Sequence, residues 1–296
     1  MKLLVVFLVI LSLTDVPFVQ AQSSLKKRKI QVPQIVCYSS DKTEKSFIPP
    51  PAEFLLKSNT EKKTDIIVTY SLFPANAKAA FEYAVSIWEH IIESDVPIYV
   101  NARWRTMENN ILGSSGPSDY YTDFDYIPHK NRFYPISIVE KITKTEITGS
   151  TSPDINATFN KDQKWYFGTD GNTPELLYDF VTVVLHEIGH GLGFTGFFFV
   201  TGNIGAYGNE NTGDVAAFDL MVVNDKNQHL SDSTIFKMPS ESLYNAFTSG
   251  LLFSNSPVAA LNDSGNKPKL YAPQTYNDGS SIYHLNDATY PFTNEN

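Results

Sequence analysis

The sequence has very little cysteine and no long apolar segment in its interior. Cys37 is the single cysteine in 296 residues, which excludes an internal disulfide framework, so stability must come from burial. No stretch after Ala21 reaches the roughly 20 apolar residues that a membrane helix needs. The formal net charge of −9 argues against nucleic acid or an anionic membrane as the main partner. These absences favour a folded protein without a stable membrane anchor.

The beginning of the chain predicts export. Residues 1–21 combine a positive charge, an apolar run and small residues near the end, which is typical of a secretory signal peptide. We therefore expect a secreted monomer. Residues 22–62 are charged and contain three consecutive prolines, which predicts an extended lead-in or pro-segment. We expect residues 63–193 to form an N-terminal catalytic lobe and residues 194–296 a C-terminal lobe.

The strongest functional signal lies in residues 181–196. The stretch from His186 to His190 reads HEIGH and matches HExxH, in which two histidines four residues apart share one helix face. Neutral imidazole is a good Zn²⁺ ligand, and a catalytic zinc takes three protein ligands and keeps a position for water. Glu187, next to the first ligand, would be the general base for that water. The motif therefore predicts a Zn²⁺ site on a helix.

Periodicity predicts the elements that precede the motif. Residues 65–73 are rich in β-branched side chains, residues 74–92 place apolar side chains on one helical face, and residues 97–105 alternate apolar and polar. A strand, a helix and a strand in this order indicate a crossover unit of a mixed sheet. Residues 109–130 are rich in turn formers, and residues 154–159 predict a short polar strand that runs along a cleft or lies at a solvent edge.

Capping signals predict the ends of the motif helix. Thr173, Pro174 and Glu175 are typical of a helix start, and Gly191 and Gly193 of a helix end. The later part of the chain predicts a strand over residues 215–223, a helix over residues 240–248 and a hairpin over residues 258–271.

From His186 the chain reads HEIGHGLG and resembles the metzincin zinc endopeptidases, whose motif is followed, after two further residues, by a third ligand. That position holds Gly196, which has no side chain. Leishmanolysin-like enzymes and related secreted bacterial peptidases place the third histidine after a long insertion, and residues 178–194 and 280–287 are similar to that group. The resemblance implies His284 as the third ligand. It also implies an α+β, metzincin-like fold with a twisted mixed sheet, an active-site helix and an irregular C-terminal lobe.

Several alternatives stay open beside this resemblance. Asp219, an acid in an apolar segment, is the main rival of His284 as third ligand, or else a partner that orients a ligand. His229, in a polar turn, is less suited. Metzincins carry a methionine turn after the third ligand, and no methionine follows Met238, so we expect the sequence to stop before such a turn. A thiolate at Cys37 could occupy the open metal position and keep an enzyme latent, or the thiol has no such role.

The predicted function is a secreted zinc endopeptidase that hydrolyses peptide bonds in a protein or peptide substrate through a metal-activated water, with Glu187 as general base. Two other functions fit the same residues. One is a secreted binding module with a structural zinc, for which Glu187 would have no role. The other is a zinc amidase that acts on a non-protein substrate such as cell-wall peptide.

Overall fold

The computed structural model describes residues 26–27, 35–39, 50, 52–55, 61–149, 151–208, 213–286 and 288–289. The predicted signal peptide, residues 1–21, lies outside the described residues, as does most of the predicted lead-in. None of the helices in the described ranges combines the length and apolar character needed to cross a membrane.

The described residues form both strands and helices, of very different lengths. The strands are β1 Lys26–Lys27, β2 Ile35–Tyr38, β3 Ile66–Ser71, β4 Ile98–Arg105, β5 Ile111–Pro117, β6 Tyr120–Thr122, β7 Tyr134–Pro135, β8 Ile155–Asn160, β9 Trp165–Tyr166, β10 Tyr178–Asp179, β11 Phe198–Thr201, β12 Ile204–Tyr207, β13 Val222–Asn224, β14 Leu252–Ser254 and β15 Lys269–Leu270. The helices are α1 Ala52–Leu55, α2 Ala75–Ile91, α3 Ile136–Thr143, α4 Phe180–Leu192, α5 Glu241–Phe247 and α6 Pro257–Asn262, with a 3₁₀ helix at Phe218–Met221.

The largest sheet is five-stranded and mixed, in the order β2-β5-β8-β4-β3. Strands β3, β4 and β8 are parallel to their neighbours in that group, whereas β5 pairs antiparallel with β8 and β2 pairs antiparallel with β5. The crossover from β3 through α2 to β4 is the unit that the sequence predicted. The prediction of an α+β protein with a mixed sheet is therefore confirmed.

The main core lies between this sheet and the two long helices, α2 and α4. Phe81, Phe159 and Phe180 are fully buried there and contact one another edge to face, with ring centroids 5.3–5.6 Å apart in the 81–159 and 159–180 pairs. Burial of one such side chain contributes about 1.5–3 kcal/mol. A separate apolar cluster fills the later part of the chain and includes Tyr207, Phe247 and Ile282. Ile35 of β2 also belongs to that second cluster.

The turn-rich prediction for residues 109–130 is correct for residues 109–110 and 123–130 but wrong between them, where β5 and β6 lie. β5 reads ILGSSGP, a sequence of low intrinsic strand propensity. It nevertheless pairs along both edges, with β2 and with β8. The ladder of backbone hydrogen bonds and the packing of β5 on α4 override the local preference.

The predicted strand at residues 154–159 exists as β8, but neither proposed position is correct. β8 lies inside the sheet, between β5 and β4, and most of its side chains are buried. At the β2 end of the sheet, the strand that pairs with the edge strand is β5.

Two later predictions are also wrong. Residues 215–223 do not form one strand, since a 3₁₀ helix at Phe218–Met221 precedes the short strand β13. Residues 258–271 do not form a hairpin: α6 begins after Ser256, whose hydroxyl accepts a hydrogen bond from the Ala259 amide, and β15 pairs with β14. Ser256 followed by Pro257 is a helix-start signal that outweighs the strand-like valine and leucine. The predicted helix at residues 240–248 is confirmed as α5 with Ser240 as its N-cap.

Candidate metal centre

Helix α4 carries the HExxH motif and is fixed at both ends. Its N-cap is Asp179, whose Oδ1 accepts from the Thr182 amide at 2.7 Å, so the predicted start at residues 173–175 is wrong. Thr173 instead donates its hydroxyl to Asp179 Oδ2 at 2.8 Å. The helix ends at Gly193, as predicted, where a positive φ of 125° suits glycine. Together these contacts fix both ends of the helix, whose second half holds the motif.

Gly191 does not end the helix, contrary to the prediction, but lies within it. A Cβ at this position would lie 2.2 Å from Ile155 Cγ2 of β8. The missing side chain therefore allows α4 to approach the sheet closely, which brings the motif under β5.

The structure brings the three predicted ligands together. Nε2 of His186 lies 2.9 Å from Nε2 of His190 and 3.1 Å from Nε2 of His284. His284 comes from the far end of the described chain, and its backbone oxygen accepts from the Tyr271 amide at 2.8 Å. Ligand atoms of these three residues all lie within 4.8 Å of one another, a spacing suited to one cation.

The hydrogen bonds of two rings define their tautomers. Nδ1 of His190 lies 2.8 Å from the Phe194 carbonyl oxygen, and Nδ1 of His284 lies 2.8 Å from the Ser280 carbonyl oxygen. Because a carbonyl oxygen only accepts, each Nδ1 must carry the proton, and each Nε2 of a neutral ring then presents a lone pair. Two lone pairs therefore point at His186 Nε2, which has at most one proton to share. A cation between the three nitrogen atoms resolves this conflict.

The surroundings keep the three imidazoles in the neutral, ligating form. Burial lowers the pKa of His186 well below its usual value, and the neighbouring His190 and His284 lower it further. Burial, with a smaller contribution from His284, lowers the pKa of His190 to about 3. Burial also lowers the pKa of His284. The donor set of three neutral imidazoles suits zinc among the common metals.

Glu187 is fully buried, yet neither of its carboxylate oxygens has a hydrogen-bond partner among the described residues. Burial raises its pKa well above the usual range. A buried carboxylate without partners is costly, so such a group is typical of a site that takes a cation or a ligand. The side chain lies directly under β5, since a Cβ at Gly113 would be 2.9 Å from Glu187 Oε1. Sequence reasoning missed Gly113, because its segment resembles a loop.

Cys37 lies at the same place. Its Sγ, a ring nitrogen of His186 and a carboxylate oxygen of Glu187 all lie within 4.8 Å of one another. The strand that carries it, β2, pairs with β5 so that Cys37 is opposite Gly113. The structure therefore brings the lead-in thiol next to the predicted metal position.

Asp219, the rival ligand, is not part of the histidine group. Its carboxylate is fully buried and accepts from the Phe197 amide at 2.9 Å, the Ala216 amide at 3.0 Å and the Tyr283 hydroxyl at 2.8 Å. Burial raises its pKa to about 7, against the effect of these hydrogen bonds. Because Tyr283 precedes His284, Asp219 fixes the segment that presents the third imidazole.

The same contacts explain the glycine at the usual third-ligand position. A Cβ at Gly196 would lie 1.9 Å from Asp219 Oδ1 and 2.7 Å from the Tyr283 hydroxyl. The space that a side chain would need is thus filled by the pair that positions His284.

Two other histidines lie outside the cluster. His90 Nδ1 bonds to the Ser86 carbonyl at 2.6 Å. His229 Nδ1 bonds to the Leu220 carbonyl at 2.8 Å and takes no part in the histidine group.

Comparison with known proteins gives a family likeness but no function. The model of a family described as SPBPB7E8-like matches residues 57–199. The chain is also similar to an uncharacterised protein of Schizosaccharomyces pombe, PB7E8.01, with 29% identity over 138 residues. That alignment covers 44% of this chain and 22% of the yeast protein, so the chain spans about a fifth of this relative. No solved structure matches. The family match includes the HEIGH helix and excludes Cys37 and His284.

Proposed function

We propose that the protein is a secreted zinc endopeptidase with a metzincin-like fold, in which His186, His190 and His284 bind the metal and Glu187 is the general base. The observation that carries the proposal is the convergence of three Nε2 atoms beside a buried carboxylate that has no partner. Neither feature helps an ordinary protein core, because each costs free energy unless a cation is present.

The donor set determines which chemistry the site would support. When bound, a zinc ion lowers the pKa of a coordinated water to about 7 and polarises a carbonyl oxygen. The three imidazoles are held by carbonyl hydrogen bonds or by the helix itself, so they need little rearrangement.

Glu187 supplies proton transfer in this proposal. The charge of a cation held by the three Nε2 atoms would lower the pKa of the Glu187 carboxylate toward the physiological range, whereas burial raises it. The ionised carboxylate would take a proton from the attacking water and pass it to the leaving amine. The position under Gly113 holds the carboxylate in one place, and no serine or cysteine nucleophile is needed.

An extended substrate would have to lie along β5, at the edge that β2 occupies in this structure. The proposed metal site lies between β5 of the mixed sheet and the segment at residues 279–284 of the irregular later part of the chain. A sheet strand beside the site can pair with a peptide backbone. This arrangement favours peptides over small, compact substrates.

One observation favours a second function, a binding module with a structural zinc. A structural zinc is surrounded by four protein ligands, and Cys37, whose Sγ lies within 4.8 Å of a ring nitrogen of His186, would become the fourth if the thiol moved toward the other two imidazoles. In that case Glu187 would be dispensable, and removal of the thiol would weaken metal binding.

Glu187→Gln and Cys37→Ala distinguish the two functions. The full chain and both variants would be assayed for zinc content by elemental analysis and for cleavage of casein. For the peptidase we expect Glu187→Gln to keep its zinc and lose turnover, and Cys37→Ala to keep its zinc and at least its original turnover. Loss of zinc in Cys37→Ala, with no cleavage by any form, would support the structural site. Cleavage of only small amides would support an amidase instead.

A further inference from the structure

An apolar cavity lies between α2, α3 and the second half of α4. Its volume is about 350 Å³, at the lower end of the roughly 300–1,000 Å³ that small-molecule sites occupy. Most of its wall consists of apolar side chains that the protein buries only in part, which are Trp88, Ile92, Ile138, Leu192 and Phe194. The cavity therefore has the size and the lining of a site for a small apolar molecule.

A glycine of the HExxH motif forms part of the cavity wall. Gly189 lies inside α4, where glycine is less favourable than alanine. Outside the helix, the nearest contact of a Cβ at this position would be Trp88 Cζ2 at 3.8 Å, an ordinary van der Waals distance. At Gly191, in contrast, a Cβ would lie 2.2 Å from Ile155. Packing thus requires the glycine at position 191 but not at position 189, where the missing side chain leaves space in the cavity.

Two serines and one lysine also line the cavity, and their hydrogen bonds differ. The Ser94 hydroxyl donates to the Val96 carbonyl oxygen at 2.8 Å. Ser137 is only 6% exposed, yet its hydroxyl has no hydrogen-bond partner among the described residues. Lys141 is exposed, and its ammonium donates to the backbone carbonyl oxygen of Glu93. A buried hydroxyl without a partner is costly, so Ser137 is the polar group of this wall that a bound ligand would satisfy.

The polar end of the cavity favours an anionic ligand. Ser137 and Lys141 are four residues apart on α3, so they share one face of the helix. The neighbouring Lys144 is paired with Asp95 at 2.8 Å, whereas the acceptor of Lys141 is a carbonyl oxygen without formal charge. A carboxylate has two acceptor oxygens and a single charge, which match one hydroxyl and one ammonium.

We infer that this cavity binds an aliphatic monocarboxylate. The carboxylate accepts from Ser137 and Lys141. The hydrocarbon chain lies against Gly189 and Trp88. The volume is about twelve times the roughly 30 Å³ that one water molecule takes in the liquid, so a chain of about eight carbons fits. The ligand lies beside the metal-binding half of α4, because Gly189 directly precedes His190. The inference does not depend on the proposed peptidase function.

Isothermal titration calorimetry of the full-length chain tests this inference with octanoate, used below the concentration at which it forms micelles. We expect one octanoate per chain, bound at least 10-fold more tightly than butanoate, because each further buried CH₂ group contributes about 4-fold to the affinity. Equal affinities for the two acids, or no saturable binding, would overturn the inference. Tighter binding of octanol than of octanoate would also overturn it, because a neutral ligand gains nothing from Lys141.

Lys141→Gln tests the charged end of the site. The affinity for octanoate should fall about 5-fold, since an exposed ion pair contributes at most about that factor. The affinity for octanol should not change. The matched control is Lys144→Gln, which removes the same charge three residues further along, outside the cavity, and should bind octanoate as the parent does. An unchanged affinity for octanoate in Lys141→Gln would refute the carboxylate assignment.

Two further measurements locate the ligand. Ile92→Trp places a larger side chain in the cavity and should weaken octanoate binding at least 10-fold, with circular dichroism to verify that the chain is folded. If it is not, Ser137→Ala takes its place, and its affinity should fall because the hydroxyl is lost. Treatment of the parent with a chelator should leave octanoate binding unchanged. Loss of binding after chelation would place the carboxylate on a metal ion, and parent-like binding by the folded cavity variant would place it elsewhere; either result refutes the cavity site.

Discussion

Glu187 and Asp219 are both fully buried carboxylates, but their surroundings differ in one respect. Asp219 accepts three hydrogen bonds, from two amides and the Tyr283 hydroxyl, whereas Glu187 accepts none among the described residues. Burial raises the pKa of both groups. A buried carboxylate with hydrogen-bond partners stabilises the fold, whereas a buried carboxylate without partners is typical of a functional site. The comparison supports the proposal that Asp219 positions the third imidazole and that Glu187 takes part in the reaction.

The largest expected effect is the loss of hydrolysis in Glu187→Gln. General-base catalysis contributes about 10²- to 10⁴-fold, so casein cleavage should fall by about that factor. Stability should stay the same or rise, because a neutral amide is easier to bury than a carboxylate. The control is Glu175→Gln, an exposed acid on the segment before α4. Full activity in Glu187→Gln would contradict the role of Glu187 as general base.

Asp219 is expected to affect stability more than metal binding. Asp219→Ala leaves two amides and the Tyr283 hydroxyl without an acceptor, which should cost about 3 kcal/mol, since one buried unsatisfied donor costs about 1–3 kcal/mol. Asp219→Asn keeps one acceptor oxygen for the Phe197 and Ala216 amides, which both bond Oδ2, and loses only the acceptor of the Tyr283 hydroxyl, so it should cost less than about 1.5 kcal/mol. Urea unfolding would measure both. A variant at this position that is as stable as the parent but has lost its zinc would make Asp219 a ligand.

Gly113→Ala tests whether the position of the Glu187 carboxylate matters for the rate. The new methyl group would lie 2.9 Å from Glu187 Oε1 and 3.2 Å from the Thr158 carbonyl oxygen, so the carboxylate must shift. Because a displacement of about 1 Å can cost about 100-fold in rate, we expect about a 10-fold loss of kcat. Ser114→Ala, the next residue on β5, is the control. Equal rates for the two variants would show that the position of Glu187 does not matter.

Glu140 is intermediate between Glu187 and Asp219 in its hydrogen bonding, and its substitution should have the smallest effect. One of its oxygens accepts from the Ile147 and Thr148 amides, and the other has no partner among the described residues. Burial raises its pKa to about 8, with a contribution from Asp154. Because the pKa of Glu140 is higher in the folded chain than in the unfolded one, its contribution to the free energy of unfolding is fully present below about pH 4.5. That contribution is lost as the pH rises toward 8. Glu140→Gln should flatten the decline of the urea midpoint between pH 5 and 8; an unchanged decline would contradict this.

The elements with strong periodicity were predictable from the sequence. The β3-α2-β4 unit and the motif helix follow from side chains that repeat with helical or strand period. β5 was not predictable, because its two glycines and two serines favour turns and only its partners on both edges make it a strand. The strand predicted around Asp219 failed for a similar reason. The hydrogen bond from the Ala216 amide to the Asp219 carboxylate lies within a 3₁₀ turn, and the Phe197 amide and the Tyr283 hydroxyl hold that carboxylate from distant parts of the sequence.

The candidate site was predictable in part. Spacing on one helix predicts His186, Glu187 and His190. His284 was predicted from a resemblance, and the structure places it beside the two helix histidines. The proximity of Cys37 depends on the pairing of β2 with β5, residues that lie about 75 positions apart in the sequence. No local pattern signals such a long-range pairing. The role of Gly113 is hidden for the same reason.

The zinc content of the purified full-length chain, measured beside that of His284→Ala and Asp219→Asn, decides whether the three imidazoles bind a metal ion. We expect one zinc ion per chain in the parent and in Asp219→Asn, and little or none in His284→Ala. A parent chain without zinc after growth and purification in zinc-containing buffer, or a His284→Ala chain that keeps its full complement, would contradict it.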